Sequence, residues 1–283
     1  FLPVFTIIMA AGSYSLAYGA TLICAYIFYY VYRKKKIGLS MCIPVVTVLV
    51  IFMYSYINSD TVNAGATSES IVTVFSRDPL YFLYFGLNTF ASDIVSVELV
   101  KYFDINTVKT GILGAVVIVF YMYALYLNFK HRIYENTIFP LLLLISGLFS
   151  HAMVILTRWI FLDRMYAMSS RYSLQFGAGL IGVILTFACM KLGGNKSKFS
   201  LVSKLAIPVF VLLVFAGNVS TAGNEMRMAK YRMESFETKM KVAKNFEHES
   251  DETLKTVLQY HSPKKIREAL RLIKSKKLNI FSE

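Results

Sequence analysis

The stretch TGILGAVVIVFYMYALYLNF, residues 110–129, carries no charged side chain and stops at Lys130-His131-Arg132. At about 1.5 Å per residue a run of this length covers the ~30 Å hydrocarbon core of a bilayer. Inside lipid every backbone N–H and C=O has to be satisfied within the structure, and the alternating pattern of a barrel strand is absent, so the stretch is expected to be a spanning helix. The basic cluster behind it belongs on the cytoplasmic side, so the span runs inward.

Working outward, comparable runs occur at 16–32, 37–57, 138–157, 172–190 and 201–217. Of the 283 residues 56% are apolar, and the mean hydropathy is +0.53. The fold class expected is all-α: a polytopic transmembrane helix bundle of about six spans plus a re-entrant or interfacial helix, with a basic helical C-terminal tail. Arg33-Lys34-Lys35-Lys36 closes the run at 16–32 on the cytoplasmic side, and Pro44 lies near the start of the next, where a kink is tolerated. The run at 1–11 is short and broken by Gly12-Ser13-Tyr14-Ser15, which suits an interfacial piece or the end of an earlier helix. With Phe1 already inside an apolar stretch, residues 1–217 are expected to be the C-terminal part of a longer membrane domain.

Residues 58–78 are rich in Ser, Thr and Asn and are expected to form an extracytoplasmic loop. The next stretch, 79–100, begins apolar but is interrupted by Asn88, Asp93 and Glu98. A charge at the centre of a spanning helix costs about 2.5–3.5 kcal/mol, so this piece is expected to be re-entrant or interfacial. That count leaves the tail, 218–283, on the extracytoplasmic side; were 79–100 to cross, everything after it would invert. The tail holds 14 Lys or Arg against 9 Asp or Glu. Pro263 can open a helix there with Ile266, Ala269, Leu270 and Ile273 on one face and basic residues around the rest, a pattern suited to anionic lipid.

Several classes are excluded. Cys24, Cys42 and Cys189 all lie in apolar runs and build neither a disulfide framework nor a zinc site. No glycine-rich phosphate loop, nucleophile elbow, HExxH or CxxC occurs, which argues against an ATPase, a serine hydrolase or a zinc protease. The net charge of +13 sits in short loops and the tail, so membrane lipids and lipid-linked phosphates, rather than nucleic acid, are the expected partners.

The most informative segment for chemistry is HAMVILTRWIFLDRMYAMSSRYSLQ, residues 151–175. His151 and Arg158 are seven apart, hence on one helix face; Arg164 lies in the following turn beside Asp163, and Arg171 opens the next span with Gln175 one turn on. His151, Arg158, Arg164, Arg171 and Gln175 are candidate phosphate-binding residues, the arginines foremost, because a guanidinium stays charged and its planar fork matches phosphate oxygens. The competing reading has Arg158 and Arg164 snorkelling to headgroups, Arg171 paired with Asp163, and His151 as a hydrogen-bonded bundle residue. Asp93 and Glu98 are candidate acids or bases if they face a membrane-embedded substrate, and merely solvated if their helix lies at the interface. No cofactor is evident; Asp60, Glu69 and Asp78 supply oxygens for a divalent cation, but without metal-site spacing.

Three pieces together, GSYSLAYGATLICAYIFYYVYRKKK at 12–36, DRMYAMSSRYSLQFGAGLIGVIL at 163–185 and SPKKIREALRLIKSKKLNIF at 262–281, resemble the C-terminal half of bacterial polytopic membrane proteins of the GT-C glycosyltransferase superfamily. The most specific match is Ser170-Arg171-Tyr172. The resemblance implies sugar transfer from a polyprenyl-phosphate donor onto envelope polysaccharide or glycolipid at the outer side of the bacterial inner membrane. It also implies that this half helps to hold the donor phosphate, with Arg171 the best-matched position. The superfamily's catalytic acid lies in the first extracytoplasmic loop, outside the part matched here, so no catalytic residue carries over. A transporter or flippase of a lipid-linked glycan, and a non-catalytic membrane scaffold, are the alternative functions.

Overall fold

A computed structural model describes residues 66–192 and 201–282, with scattered helical positions between 21 and 54. The piece at 1–11 lies outside the described residues, as do the spans expected at 16–32 and 37–57 apart from those positions. Every regular element among the described residues is helical. The chain divides into two compact units, one containing Ala66–Thr221 and the other Ala222–Glu283.

The first unit contains α1 (Ile71–Arg77), α2 (Tyr81–Ala91), α3 (Val97–Tyr102), α4 (Thr107–Lys130), α5 (Ile133–Asn136), α6 (Phe139–Arg158) and α7 (Ser170–Leu192). A long helix, α8 (Leu201–Lys244), begins there and enters the second unit, where α9 (Asp251–Leu258) and α10 (Pro263–Ser275) follow. Among the described residues, the helices Thr107–Lys130, Phe139–Phe161 and Lys204–Lys244 are long and apolar enough to cross a membrane, and Gln175–Met190 is a shorter apolar helix. This is a helical membrane protein.

Helix α4 makes the division between lipid and core visible. Ile112, Val116, Val119, Met122 and Tyr126 are exposed along one stripe, whereas Gly114, Val117, Tyr121, Ala124 and Asn128 are buried on the other face. Both sets recur every three or four residues, the period of one helical face. Helix α8 repeats the exposed pattern with Leu205, Val209, Leu212, Phe215 and Val219.

Small residues set the helix crossings. A Cβ on Gly114 would lie 1.8 Å from the Leu87 carbonyl oxygen, and one on Gly147 would lie 2.4 Å from the Gly179 Cα, so α4 meets α2, and α6 meets α7, backbone to backbone. Asn128 on α4 donates to Thr186 Oγ1 on α7 at 2.7 Å, a buried bond between two helices.

Three local findings refine the sequence reading. The stretch 79–100 is two short helices with a turn at 92–96, in which Ser96 caps α3 by accepting from the Leu99 N–H. The 11 residues of α2 reach about 16 Å, roughly half a bilayer core. The polar stretch before it contains a helix, α1, because Ser70 accepts from the Thr73 N–H and Val74 has Tyr81 and Phe85 to pack on. Finally, α8 continues past Asn218 to Lys244, since hydropathy ends there but helix-forming residues do not.

In the second unit, Pro263 opens α10 with Ser262 as its cap. Ile266 and Leu270 of α10 pack with Val242, Phe246 and Leu254, so much of the apolar face that sequence assigns to lipid is turned onto the unit's own core.

Candidate functional site

The connection between α6 and α7 consists of two 3-10 turns, Trp159–Phe161 and Tyr166–Met168, joined through Leu162 at φ 52°. Helix α2 and the segment before it hold this connection in place. Tyr81 Oη donates to the Trp159 carbonyl at 2.9 Å, and the Thr67 N–H donates to the Ile160 carbonyl at 2.7 Å. Asn88 is buried and bonded at both ends of its amide: its nitrogen donates to the Arg164 carbonyl at 3.0 Å and its Oδ1 accepts from Thr110 Oγ1 at 2.7 Å.

The Arg164 side chain is therefore presented from a fixed backbone. Its Nη2 lies 2.5 Å from Asp78 Oδ2, and its guanidinium sits 5.3 Å from the centre of the Tyr84 ring. Both members of the ion pair remain about one-third exposed, so the pair is open to solvent or headgroups. Burial pushes the Tyr81 hydroxyl up to about 12, with the Asp163 carboxylate acting in the same direction. Asp163 itself accepts from the Met165 N–H at 2.8 Å, forming part of the turn.

Arg158 occupies the last turn of α6 and is partly buried, where its charge suits the carbonyl end of the helix. Arg171 is the second residue of α7; its side chain lies outside the described residues. Gln175, one turn on, has its Oε1 buried with no hydrogen-bond partner among the described residues. Glu98 in the first turn of α3 reaches the neighbour of Arg171, accepting from Ser170 Oγ at 3.5 Å, while its Oε2 is buried without a hydrogen bond among the described residues.

His151 lies elsewhere. Seven residues before Arg158 along α6, it sits in the core between two aromatic rings, Phe90 and Phe176, each with its centroid 4.0 Å away and nearly parallel. Its Nε2 is 3.5 Å from Asp93 Oδ2, with both side chains at most 1% exposed. Asp93 belongs to the turn between α2 and α3, outside the long helices; burial pushes its carboxyl above the ordinary carboxylate range, and His151 and Tyr121 act in the opposite sense. Asn218 of α8 fixes that turn by donating to the Asp93 carbonyl at 3.1 Å.

The structure thus brings together Asp93 with His151, Glu98 with the start of α7, and Arg164 with Asp78. It separates His151, in the core, from Arg158 and Arg164, at a partly exposed edge. Asp93 is not solvated. Of the oxygens considered for a divalent cation, Glu69 pairs with Arg77 at 2.8 Å and Asp78 with Arg164, while Asp60 lies outside the described residues. No group of three or more His, Cys, Asp or Glu side chains placed to hold a metal ion occurs among the described residues. Neither Tyr121 nor the anchoring role of Asn88 is evident from the sequence, where Asn88 shows only as a polar residue interrupting an apolar run. No protein-family model, curated protein or solved structure matches the chain.

Proposed function

We propose that this chain is a multi-pass protein of the bacterial inner membrane, with about six spans, that transfers a sugar from a polyprenyl-phosphate donor during assembly of envelope polysaccharide or glycolipid. In this reading α2 and α3 form a re-entrant piece and the tail is extracytoplasmic. The observation that carries the reading is the arginine turn. Arg164 is positioned by Asp78, Tyr84 and the Asn88 bond to its own carbonyl, at the end of an apolar hairpin whose arms carry Arg158 and Arg171. A guanidinium presents five N–H donors, and Asp78 leaves part of that fork available to a donor phosphate. Charge developing on the departing phosphate would be met by fixed cations, the electrostatic contribution that such a transfer needs.

An inverting transfer also needs a carboxylate base. Glu98 is the better placed of the two candidates, because Ser170 links it to the start of α7 next to Arg171, whereas Asp93 is enclosed with His151. The test is turnover of a polyprenyl-phosphate sugar by the full-length protein in proteoliposomes. Loss of turnover in Arg164→Ala with retained folding supports the reading; equal turnover in the variant and the parent would sink it.

A specific observation also favours a transporter or flippase of a lipid-linked glycan. The interrupted α2–α3 segment, with an ionisable pair buried beside it, is the kind of broken helix that transporters use. Movement of a labelled lipid-linked sugar across the bilayer, without cleavage of its phosphate bond, distinguishes this reading from transfer.

A further inference from the structure

Within the second unit, α8 carries an apolar seam that its neighbours leave largely uncovered. Ala222, Met226, Ala229, Met233, Phe236 and Met240 follow one another at alternating spacings of four and three, the 3.5-residue repeat of a coiled coil. Met226 is 80% exposed, Met233 58% and Phe236 56%. This contrasts with α10, whose Ile266 and Leu270 are packed against Phe246 and Leu254. An exposed helical stretch with a bare apolar stripe is marginal on its own and gains stability from a partner helix.

The flanking charges indicate which partner. With Met226, Met233 and Met240 at one core position and Ala222, Ala229 and Phe236 at the other, Glu225, Arg232 and Lys239 precede the methionines, and Lys230, Glu237 and Lys244 follow Ala229, Phe236 and Ala243. In a parallel pair each residue of the first set faces the residue five further along on the other helix. Glu225 then meets Lys230 and Arg232 meets Glu237, both attractive, and only Lys239 with Lys244 is like-charged. Arg232 already bridges to Glu225 on its own helix, which holds these charges along the seam's edge. Two copies of α8 inserted in one membrane through the apolar Leu201 end leave it in the same sense, so a parallel pairing is the one available.

We propose that residues 222–240 of α8 form a parallel coiled coil with the same segment of a second copy of this chain, making the protein a homodimer. The inference is independent of the sugar-transfer reading, since it rests on a segment outside the arginine turn.

The test is disulfide crosslinking of the full chain in native membranes, with the native cysteines replaced by serine and a single cysteine introduced by Met233→Cys or by Tyr231→Cys. Position 233 lies in the seam and 231 on the opposite face, so oxidation is expected to yield several-fold more dimer from the first. Glu225→Lys added to Met233→Cys is expected to lower the yield, and Lys230→Glu in the same chain to restore it. Equal yields at 231 and 233, or no restoration by the paired swap, would overturn the proposal. So would shielding of position 233 by phosphatidylglycerol vesicles with no dimer formed, which would make a lipid surface the occupant.

Discussion

Asp93 Oδ2 and His151 Nε2 lie 3.5 Å apart with both side chains fully enclosed, joining the turn after α2 to the middle of α6. A carboxyl group and an imidazole taken out of water each lose their hydration and have one another as polar neighbours, and Phe90 and Phe176 close off both faces of the ring. The position of the half-length helix α2 therefore depends on a contact made far along the chain.

Removing one partner leaves the other buried and alone. Asp93→Ala or His151→Ala is expected to cost about 1–3 kcal/mol, the penalty for leaving a buried polar group without its partner, and the double substitution less than the sum of the two. Denaturant unfolding in detergent, followed for both single variants and the double, measures the coupling. Strict additivity would mean that the two side chains act independently.

Close backbone contact at the α2–α4 crossing gives a second expectation. A Cβ on Gly114 would meet the Leu87 carbonyl oxygen at 1.8 Å, and a backbone atom has no rotamer by which to withdraw. Gly114→Ala is expected to destabilise by about 1–3 kcal/mol or more, read as a lowered melting temperature. Gly177→Ala, where a Cβ has nothing within 4 Å, is the matched control and should leave the melting temperature nearly unchanged.

The buried bond from Asn128 to Thr186 ties α4 to α7. Asn128→Ala is expected to cost about 0.6–2 kcal/mol, a modest effect because polar groups find other partners in the unfolded, membrane-embedded state. Resistance to unfolding by dodecyl sulfate is the measurement. A loss well above that range would show that the bond carries more than a helix-to-helix tie.

Much of the first unit was legible in its apolar runs. The expectation of a span at 110–129 corresponds to α4, and that at 138–157 to α6, because a long uncharged run in lipid has no option but a helix. The split of 79–100 into two short helices was half legible: Asn88, Asp93 and Glu98 interrupt the apolar run, but the turn at 92–96 depends on Ser96 capping and on Asn218 reaching in from α8. The pairing of Asp93 with His151 was not legible, because the two are distant in sequence and each alone resembles an ordinary polar residue in a bundle. Arg164 could be named as a candidate from its place between two spans. Its partner Asp78 could not, since that contact is set by how α2 lies under the α6–α7 connection. The seam on α8 was written in the sequence as a heptad, but it stands out only once neighbouring helices are seen to leave it bare.

The proposed function rests on the arginine turn binding a lipid-linked phosphate. It is tested most directly by glycan output in cells carrying the full-length protein as Arg164→Ala, Arg171→Ala or Asp78→Asn, with membrane levels measured on the same samples. Both arginine variants are expected to lose glycan at normal protein level while the polyprenyl-phosphate sugar accumulates, and Asp78→Asn, which keeps the guanidinium but removes one of the contacts that position it, is expected to lose clearly less output than Arg164→Ala. Unchanged glycan in both arginine variants at normal protein level would contradict it, as would an Asp78→Asn loss equal to that of Arg164→Ala, which would reduce Arg164 to a structural ion pair.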